Sequence, residues 1–196
     1  MIIQLRGTSG SGKSTVVREV MKHYGPATRV KVAGRKQPLG YLLPHPHAKT
    51  KGASARSLFV VGHYETACGG CDTLPSYDRS IEVVRHAHAA GHDVLFEGLL
   101  ISGEVQRCAQ LHEDGLPLRV MALDTPVDVC VDSINTRRRS KNPDKDDVNP
   151  ANTLAKFKTV QGAMRKLAER GVPTEWTTRQ AAAIAILTYF DLDDLR

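Results

Sequence analysis

Three features of this chain predict an α/β fold built on a doubly wound, mostly parallel sheet with flanking helices. Short continuous apolar runs alternate with segments of helical periodicity, a glycine-rich loop joins the first run to the first helical segment, and no repeat or low-complexity tract interrupts the pattern. Continuous apolar runs suit parallel strands covered on both faces, and right-handed crossovers place helices on either side of them.

The first run is residues 2–6, Ile-Ile-Gln-Leu-Arg. In the helix after it, Val16, Val17, Val20 and Met21 share a face, and Gly25-Pro26 ends it. Residues 26–57 break the alternation and read as an insertion, with a hairpin of strands 29–33 and 39–43 around Gly34-Arg35-Lys36-Gln37. A further strand is expected over 58–64, then a helix over 77–90 carrying Ile81, Val84 and Ala87 inward, then strands over 93–99 and 118–124. Thr125 is placed to cap a helix with Pro126 at its first position and Asp128 in its first turn; Val127, Cys130, Val131 and Ile134 form its apolar stripe. Residues 140–152 are too rich in Asn, Asp and Pro for a helix and read as a mobile loop. Leu154, Phe157, Val160, Met164 and Leu167 mark another helix, ended by Gly171. A weaker strand over 173–177 and a helix from about 179 to 190 complete the set.

A chain of 196 residues fits one domain, 1–196, and its 41% hydrophobic and 24% charged content is ordinary for a soluble protein. With no long apolar run and no signal-like start, a cytoplasmic location is expected. Four cysteines are too few for a disulfide framework. The net charge of +6 is unevenly spread. Between Glu19 and Glu65 there is no acid, while Lys22, Arg29, Lys31, Arg35, Lys36, Lys49, Lys51 and Arg56 give that stretch +8, leaving −2 elsewhere. Such a segment suits a polyanionic partner such as DNA.

Gly7-Thr8-Ser9-Gly10-Ser11-Gly12-Lys13-Ser14 matches G-x-x-x-x-G-K-[ST] between a strand and a helix, with Thr15 next inside the helix. Its glycines let backbone N–H groups converge on an anion, and the helix start turns its positive end to the same point. ATP with Mg2+ is the expected ligand: Lys13 reaches the β- and γ-phosphates and Ser14 ligates the metal. Glu97 ends an apolar strand at its carboxyl end, where ligands gather in open α/β sheets, and is the second candidate metal position.

Phosphorylating an alcohol also needs a proton acceptor. Glu65 and Asp72 are the two carboxylates leaving the strand over 58–64; Gly69-Gly70 between them allows a tight turn that returns Asp72 to the site, which makes it the preferred base. Tyr64 is placed either to stack on a base or to serve the core. Cys68-Gly-Gly-Cys71 has no second cysteine pair to complete a zinc site, although His45 and His47 are conceivable partners; two free thiols are the simpler reading. Arg137-Arg138-Arg139 stand before the mobile loop, so that 137–152 reads as a lid whose arginines, Arg137 and Arg138 among them, neutralise charge on the transferring phosphoryl group.

On these residues the chain resembles the P-loop kinase group that includes polynucleotide kinases and zeta-toxin-like phosphotransferases. Leu123-Asp124-Thr125-Pro126 with Cys130 and Arg137 looks like that group's lid helix, departing from it at Ser133, where an arginine is common. More narrowly, Gly62-His63-Tyr64-Glu65-Thr66-Ala67-Cys68-Gly69-Gly70-Cys71-Asp72 is similar to a motif of thymidylate-kinase-like bacteriophage enzymes that phosphorylate 5-hydroxymethyluracil within DNA for further base hypermodification. The resemblance implies γ-phosphate transfer from ATP to that hydroxyl. The rival expectations are a kinase for a free nucleoside, nucleotide or small alcohol, which has no need of a +8 segment, and a non-catalytic nucleotide switch. Against the switch, the chain has no Asn-Lys-x-Asp guanine motif, and an arginine-rich lid would have no role.

Overall fold

The computed structural model describes residues 1–52, 55–66 and 69–192. Strands β1 (Ile2–Arg6), β2 (Thr28–Val30), β3 (Gly40–Leu43), β4 (Leu58–Val61), β5 (Asp93–Glu97), β6 (Leu118–Leu123) and β7 (Thr174–Thr177) form one sheet in the order β2-β3-β4-β5-β1-β6-β7. Neighbours from β4 to β7 pair in parallel, while β3 runs antiparallel to both β4 and β2. The helices are α1 (Lys13–Lys22), α2 (Ala48–Lys51), α3 (Tyr77–Ala89), α4 (Gln106–Glu113), α5 (Val127–Lys141), α6 (Pro150–Glu169) and α7 (Arg179–Tyr189).

The period-2 alternation of strand side chains divides the core into two layers. Ile2, Val94, Phe96, Val120 and Ala122 meet the inner faces of α3, α4 and α6; Ile3, Leu5, Leu95, Met121 and Leu123 meet α1 and α7. This is the doubly wound arrangement expected.

Several local expectations are corrected. The strands over 58–64, 93–99 and 118–124 are shorter, because ladder pairing stops where the chain turns into the loops of the sheet's upper edge. The hairpin expected within 26–57 forms, with shorter strands, and it extends the sheet as β2 and β3, burying Tyr41 and Leu43. Helix α4 was not foreseen, since its buried positions include the small Cys108 and Ala109 and its N-cap, Val105, makes no side-chain bond. The span 140–152 is mostly helical at its ends. Lys141 closes α5, and Asn149 caps α6 by accepting from Ala151 N, with Pro150 in the first turn. Residues 142–149 remain as the connection, held by Arg138 Nη1 donating to Asp146 O (3.0 Å), an Arg139–Asp147 ion pair (2.5 Å) and Val148 N donating to Asn135 Oδ1 (2.9 Å). Thr125 does not cap α5, whose N-cap is Pro126; its hydroxyl donates instead to Ser11 O (3.0 Å).

The topology also divides the basic segment. Strand β2 runs the same way as the parallel strands, so its turn, residues 31–39, emerges at the edge where β1 and β5 end. Strand β3 then returns to the opposite edge, where α2 lies and Arg56 donates to Gly91 O and His92 O, ahead of β5 (both 2.9 Å). Lys31, Arg35 and Lys36 therefore sit at one end of the sheet, and Lys49, Lys51 and Arg56 at the other.

Candidate active site

The glycine-rich loop leaves β1 at the sheet's upper edge and enters α1 through Gly12, which is left-handed (φ 96°) and offers no side-chain cap. The N–H groups of Lys13 and Ser14 at the start of α1 have no acceptor one turn back and open on a cavity of 370 Å3 bordered by Gly12, Lys13, Ser14 and Thr15, while Thr15 N donates to Gly12 O (3.0 Å). Lys13, only 6% exposed, donates from Nζ to the carbonyls of Gly7 (2.9 Å) and Thr8 (3.1 Å). Helix α5 presses on this loop at Gly10, where an added Cβ would stand 2.3 Å from the Cys130 carbonyl oxygen.

Glu97 ends β5, is 2% exposed, and accepts from Ser14 Oγ at 2.7 Å. Burial pushes the Glu97 carboxyl above the ordinary carboxylate range, opposed by Lys13 and the Ser14 hydroxyl. Burial pushes the Lys13 ammonium down, opposed chiefly by Glu97. Two hard oxygen donors meeting beside a buried cation form a donor set that fits Mg2+, which takes one or two protein oxygens and completes its shell with phosphate and water.

Asp72 borders the same cavity. It returns there because Gly70, with φ 73°, lies so close to β5 that a Cβ would come within 2.3 Å of Glu97 O; the turn is pinned by Gly70 N donating to His63 O (3.0 Å). Asp72 Oδ2 accepts from Leu99 N (2.6 Å) and Oδ1 from Leu100 N (3.1 Å), which ties the turn to the loop after β5. Glu65 is not brought to the cavity. It pairs with Arg29 (2.5 Å) and accepts from Tyr41 OH (3.3 Å) on the β2–β3 side. Tyr64 is buried edge-on to Tyr41, with burial pushing its phenol up and its hydroxyl unbonded among the described residues; it is a core side chain here, not a stacking platform.

Of the arginine triplet, Arg137 alone faces the cavity, its Nη2 lying 3.4 Å from Ser9 Oγ, whereas Arg138 and Arg139 brace the 142–149 connection. Ser133, one turn earlier, borders the cavity too. Two cavity arginines were missed. Arg18 donates to Tyr64 O (3.1 Å), Ser14 O (3.3 Å) and Thr66 O, and Arg179 crosses Gly12 from the first turn of α7. Each left a signal: Arg18 lies four residues after Ser14 on one helical face, and Arg179 is a cation at a helix N-terminus, where the dipole disfavours it.

Cys68 lies outside the described residues. Cys71 is buried in the layer beneath α3, and its thiol is pushed up by burial, whereas His45 packs edge-on to Tyr24 in the opposite layer. Among the described residues, no three His, Cys, Asp or Glu side chains gather as a metal cluster.

No protein-family profile matches the chain. Two solved structures of deoxyadenosine kinase from M. mycoides, one with bound dATP and one with the products dCMP and a flexible dCDP, are 12% identical over 97% of this chain and 100% and 99% of theirs. Their TM-scores are 0.44 and 0.48, too distant to bear on the site. The sequence is 27% identical over 197 residues to the 5-hmdU DNA kinase of Delftia phage PhiW-14, covering 93% of this chain and 69% of that one. It is 51% identical over 185 residues to the 5-hmdU DNA kinase of Pseudomonas phage PaMx11, covering 94% of both. An identity of that level, running nearly end to end in both proteins, places the chain in the 5-hmdU DNA kinase family and makes it a phosphotransferase of the P-loop kinase type.

Proposed function

We propose that this chain transfers the γ-phosphate of ATP to the hydroxymethyl oxygen of 5-hmdU within DNA, a step in phage DNA hypermodification carried out in the cytoplasm of the host. The observation that carries this reading is the return of Asp72 to the cavity that holds Lys13, Ser14 and Glu97. That arrangement faces a proton-accepting carboxylate toward the phosphate-binding machinery, as alcohol phosphorylation requires. The 51% identity to a 5-hmdU DNA kinase supports DNA as the acceptor, as do the basic residues of the β2–β3 turn, which lie on the cavity's side of the sheet.

In this reading the loop from Gly7 to Gly12 and the first turn of α1 bind the triphosphate through backbone N–H groups. Lys13 leaves the carbonyls of Gly7 and Thr8 to meet the β- and γ-phosphates. Ser14 and Glu97 hold Mg2+, which when bound neutralises charge shared between the β- and γ-phosphates. Asp72 accepts the hydroxyl proton as the oxygen–phosphorus bond forms and the bond to the β-phosphate oxygen breaks, releasing ADP. Arg137 and Arg179 border the space into which negative charge spreads. Arg138, assigned to the lid on sequence grounds, takes no part in phosphate contact.

The test is incubation with γ-labelled ATP and four acceptors: 5-hmdU DNA, unmodified DNA, free 5-hmdU nucleoside and RNA. Label on the first alone is the expected result. Label on the free nucleoside at comparable kcat/KM would instead identify a small-molecule kinase.

A further inference from the structure

Asp72 stands at a partition. On one side is the phosphate cavity; on the other is a chamber of 290 Å3 bordered by Asp72, Leu74, Pro75, Tyr77, Leu100 and Ile101. A third hollow of 240 Å3 shares Tyr77 and Leu100 with that chamber and Leu99 with the phosphate cavity, and adds Lys156. The three are thus contiguous around the Asp72–Leu99–Leu100 junction, whose backbone bonds to Asp72 are described above. The volume of the middle chamber is close to the lower bound of about 300 Å3 for small-ligand pockets.

The walls of this chamber are apolar where a surface would ordinarily be polar. Leu100 is 54% exposed, unusual for a large aliphatic side chain, and shares both hollows with the Tyr77 ring. The rim carries both signs. Arg107 lies 5.8 Å from the Tyr77 ring centroid and is paired with Asp78 (2.5 Å) and Glu104 (3.8 Å), whereas Lys156 borders the third hollow and Arg35, from the β2–β3 turn, donates to Thr73 O (3.0 Å), next to Asp72. Flat apolar walls, a carboxylate at one end and cations around the rim match a ring that carries a hydroxyl and hangs from a phosphodiester.

A base kept in the duplex stack does not meet this geometry. The hydroxymethyl group extends a single carbon from the ring, while the reacting atoms must approach to about 3–3.5 Å. The phosphate-binding groups Lys13 and Glu97 are almost wholly buried, at the floor of a cavity flanked by Gly69, Leu99 and Arg137. A single base projecting from the helix passes between these flanks to reach a phosphate held there, which the stacked helix as a whole does less readily.

Resting on the reading that Asp72 faces the acceptor, we infer that the chamber beyond Asp72 receives the target pyrimidine itself, extruded from the DNA stack. Tyr77 and Leu100 form its walls, and the 5-hydroxymethyl group points back past Asp72 toward the phosphate cavity. Lys156 and Arg35, at the rim, are the cations placed to meet the flanking backbone phosphates.

The experiment uses the full chain, a non-hydrolysable ATP analogue with Mg2+, and short duplexes carrying one 5-hmdU opposite 2-aminopurine, whose fluorescence rises when its partner leaves the stack. Phosphorylation of the same duplexes is followed in parallel with labelled ATP. Wild type should raise the fluorescence severalfold. It should also show a lower KM when the target faces an abasic position, since the unpairing cost is then already met. Leu100→Ala and Tyr77→Ala should each raise KM for duplex roughly tenfold or more, within the range of lost base stacking. Leu100 is surface-exposed, so Leu100→Ala should keep its fold, checked by thermal melting. Labelled duplex with no fluorescence rise and no gain from the abasic partner overturns the inference alone. No label on any DNA overturns the functional reading and the inference with it.

Discussion

The split of the basic segment makes a quantitative prediction. Lys31 and Lys36 flank the β2–β3 turn at the edge of the active site, while Lys49 and Lys51 lie on α2 at the opposite edge. Neutralising all four together would mix two surfaces; neutralising them in pairs separates them. If each upper lysine neutralises one duplex phosphate, Lys31→Gln/Lys36→Gln lowers the slope of log affinity against log salt by about 1.8, or about 0.9 per contact. Taking the effect to vanish near molar salt, that slope amounts to a loss of about 30-fold at about 0.15 M. Lys49→Gln/Lys51→Gln should leave both slope and affinity unchanged. Fluorescence anisotropy of a labelled duplex, titrated at several salt concentrations, reads both quantities. The effect should be the same for modified and unmodified duplex, because phosphate contacts carry no base information. Equal slopes for the two double variants, or a larger change from the α2 pair, would refute the assignment of the upper edge as the DNA-facing side.

Lys13→Ala should abolish transfer in a folded protein, measured with labelled ATP against circular dichroism. Because burial lowers the Lys13 pKa, the cation is lost as pH rises, so ATP affinity should begin to fall below the ordinary lysine value of 10.5; Lys13→Arg, which does not titrate there, should stay flat. Asp72→Asn should lower kcat by at least about 10²-fold, whereas Glu65→Gln should stay near wild type. Asparagine also gives up one of the two backbone acceptor positions, so a modest drop in melting temperature should accompany the loss. Arg137→Ala should cut kcat by about 10²-fold or more, and Arg138→Ala should act through stability alone, since its partner is Asp146 O.

The order of strands and helices was legible because burial imposes it. Ile2, Ile3 and Leu5 must be apolar whichever layer they face, and the glycines of the phosphate loop are demanded by a backbone that wraps an anion. Asp72 was legible for a similar reason: only a glycine fits against Glu97 O at Gly70, and that contact turns the chain back. Long-range pairings resisted reading. Nothing local to Glu65 announces that Arg29, from a strand pairing two positions away in the sheet, will hold it aside. Arg179 is distant in sequence from Gly12, and the contact depends on α7 packing against α1. The charge count over 26–57 was correct as arithmetic and misleading as geography, because an antiparallel hairpin carries half of a contiguous charge run to the other end of the sheet. At 140–152 the composition rule failed for a further reason: Asn149 and Pro150 are helix-starting residues when they come in that order, not only loop residues.

The fixing of α5 bears on how Arg137 is held at the cavity. Cys130 O sits against Gly10, and Thr125 donates to Ser11 O, so the first turns of α5 are joined to the phosphate loop itself. Arg137 is carried about two turns further along the same helix, and the connection after it is braced by Arg138, Arg139 and Asn135. A guanidinium placed in this way is positioned by a helix registered on the glycine-rich loop rather than by an independently moving loop. Its distance from that loop is therefore set by the Gly10 contact, which leaves room for only the smallest residue. Alanine at position 10 would push α5 away and withdraw Arg137 without touching it. Combining it with Arg137→Ala should accordingly cost little more kcat than the larger single effect, the non-additivity expected of residues acting as one unit.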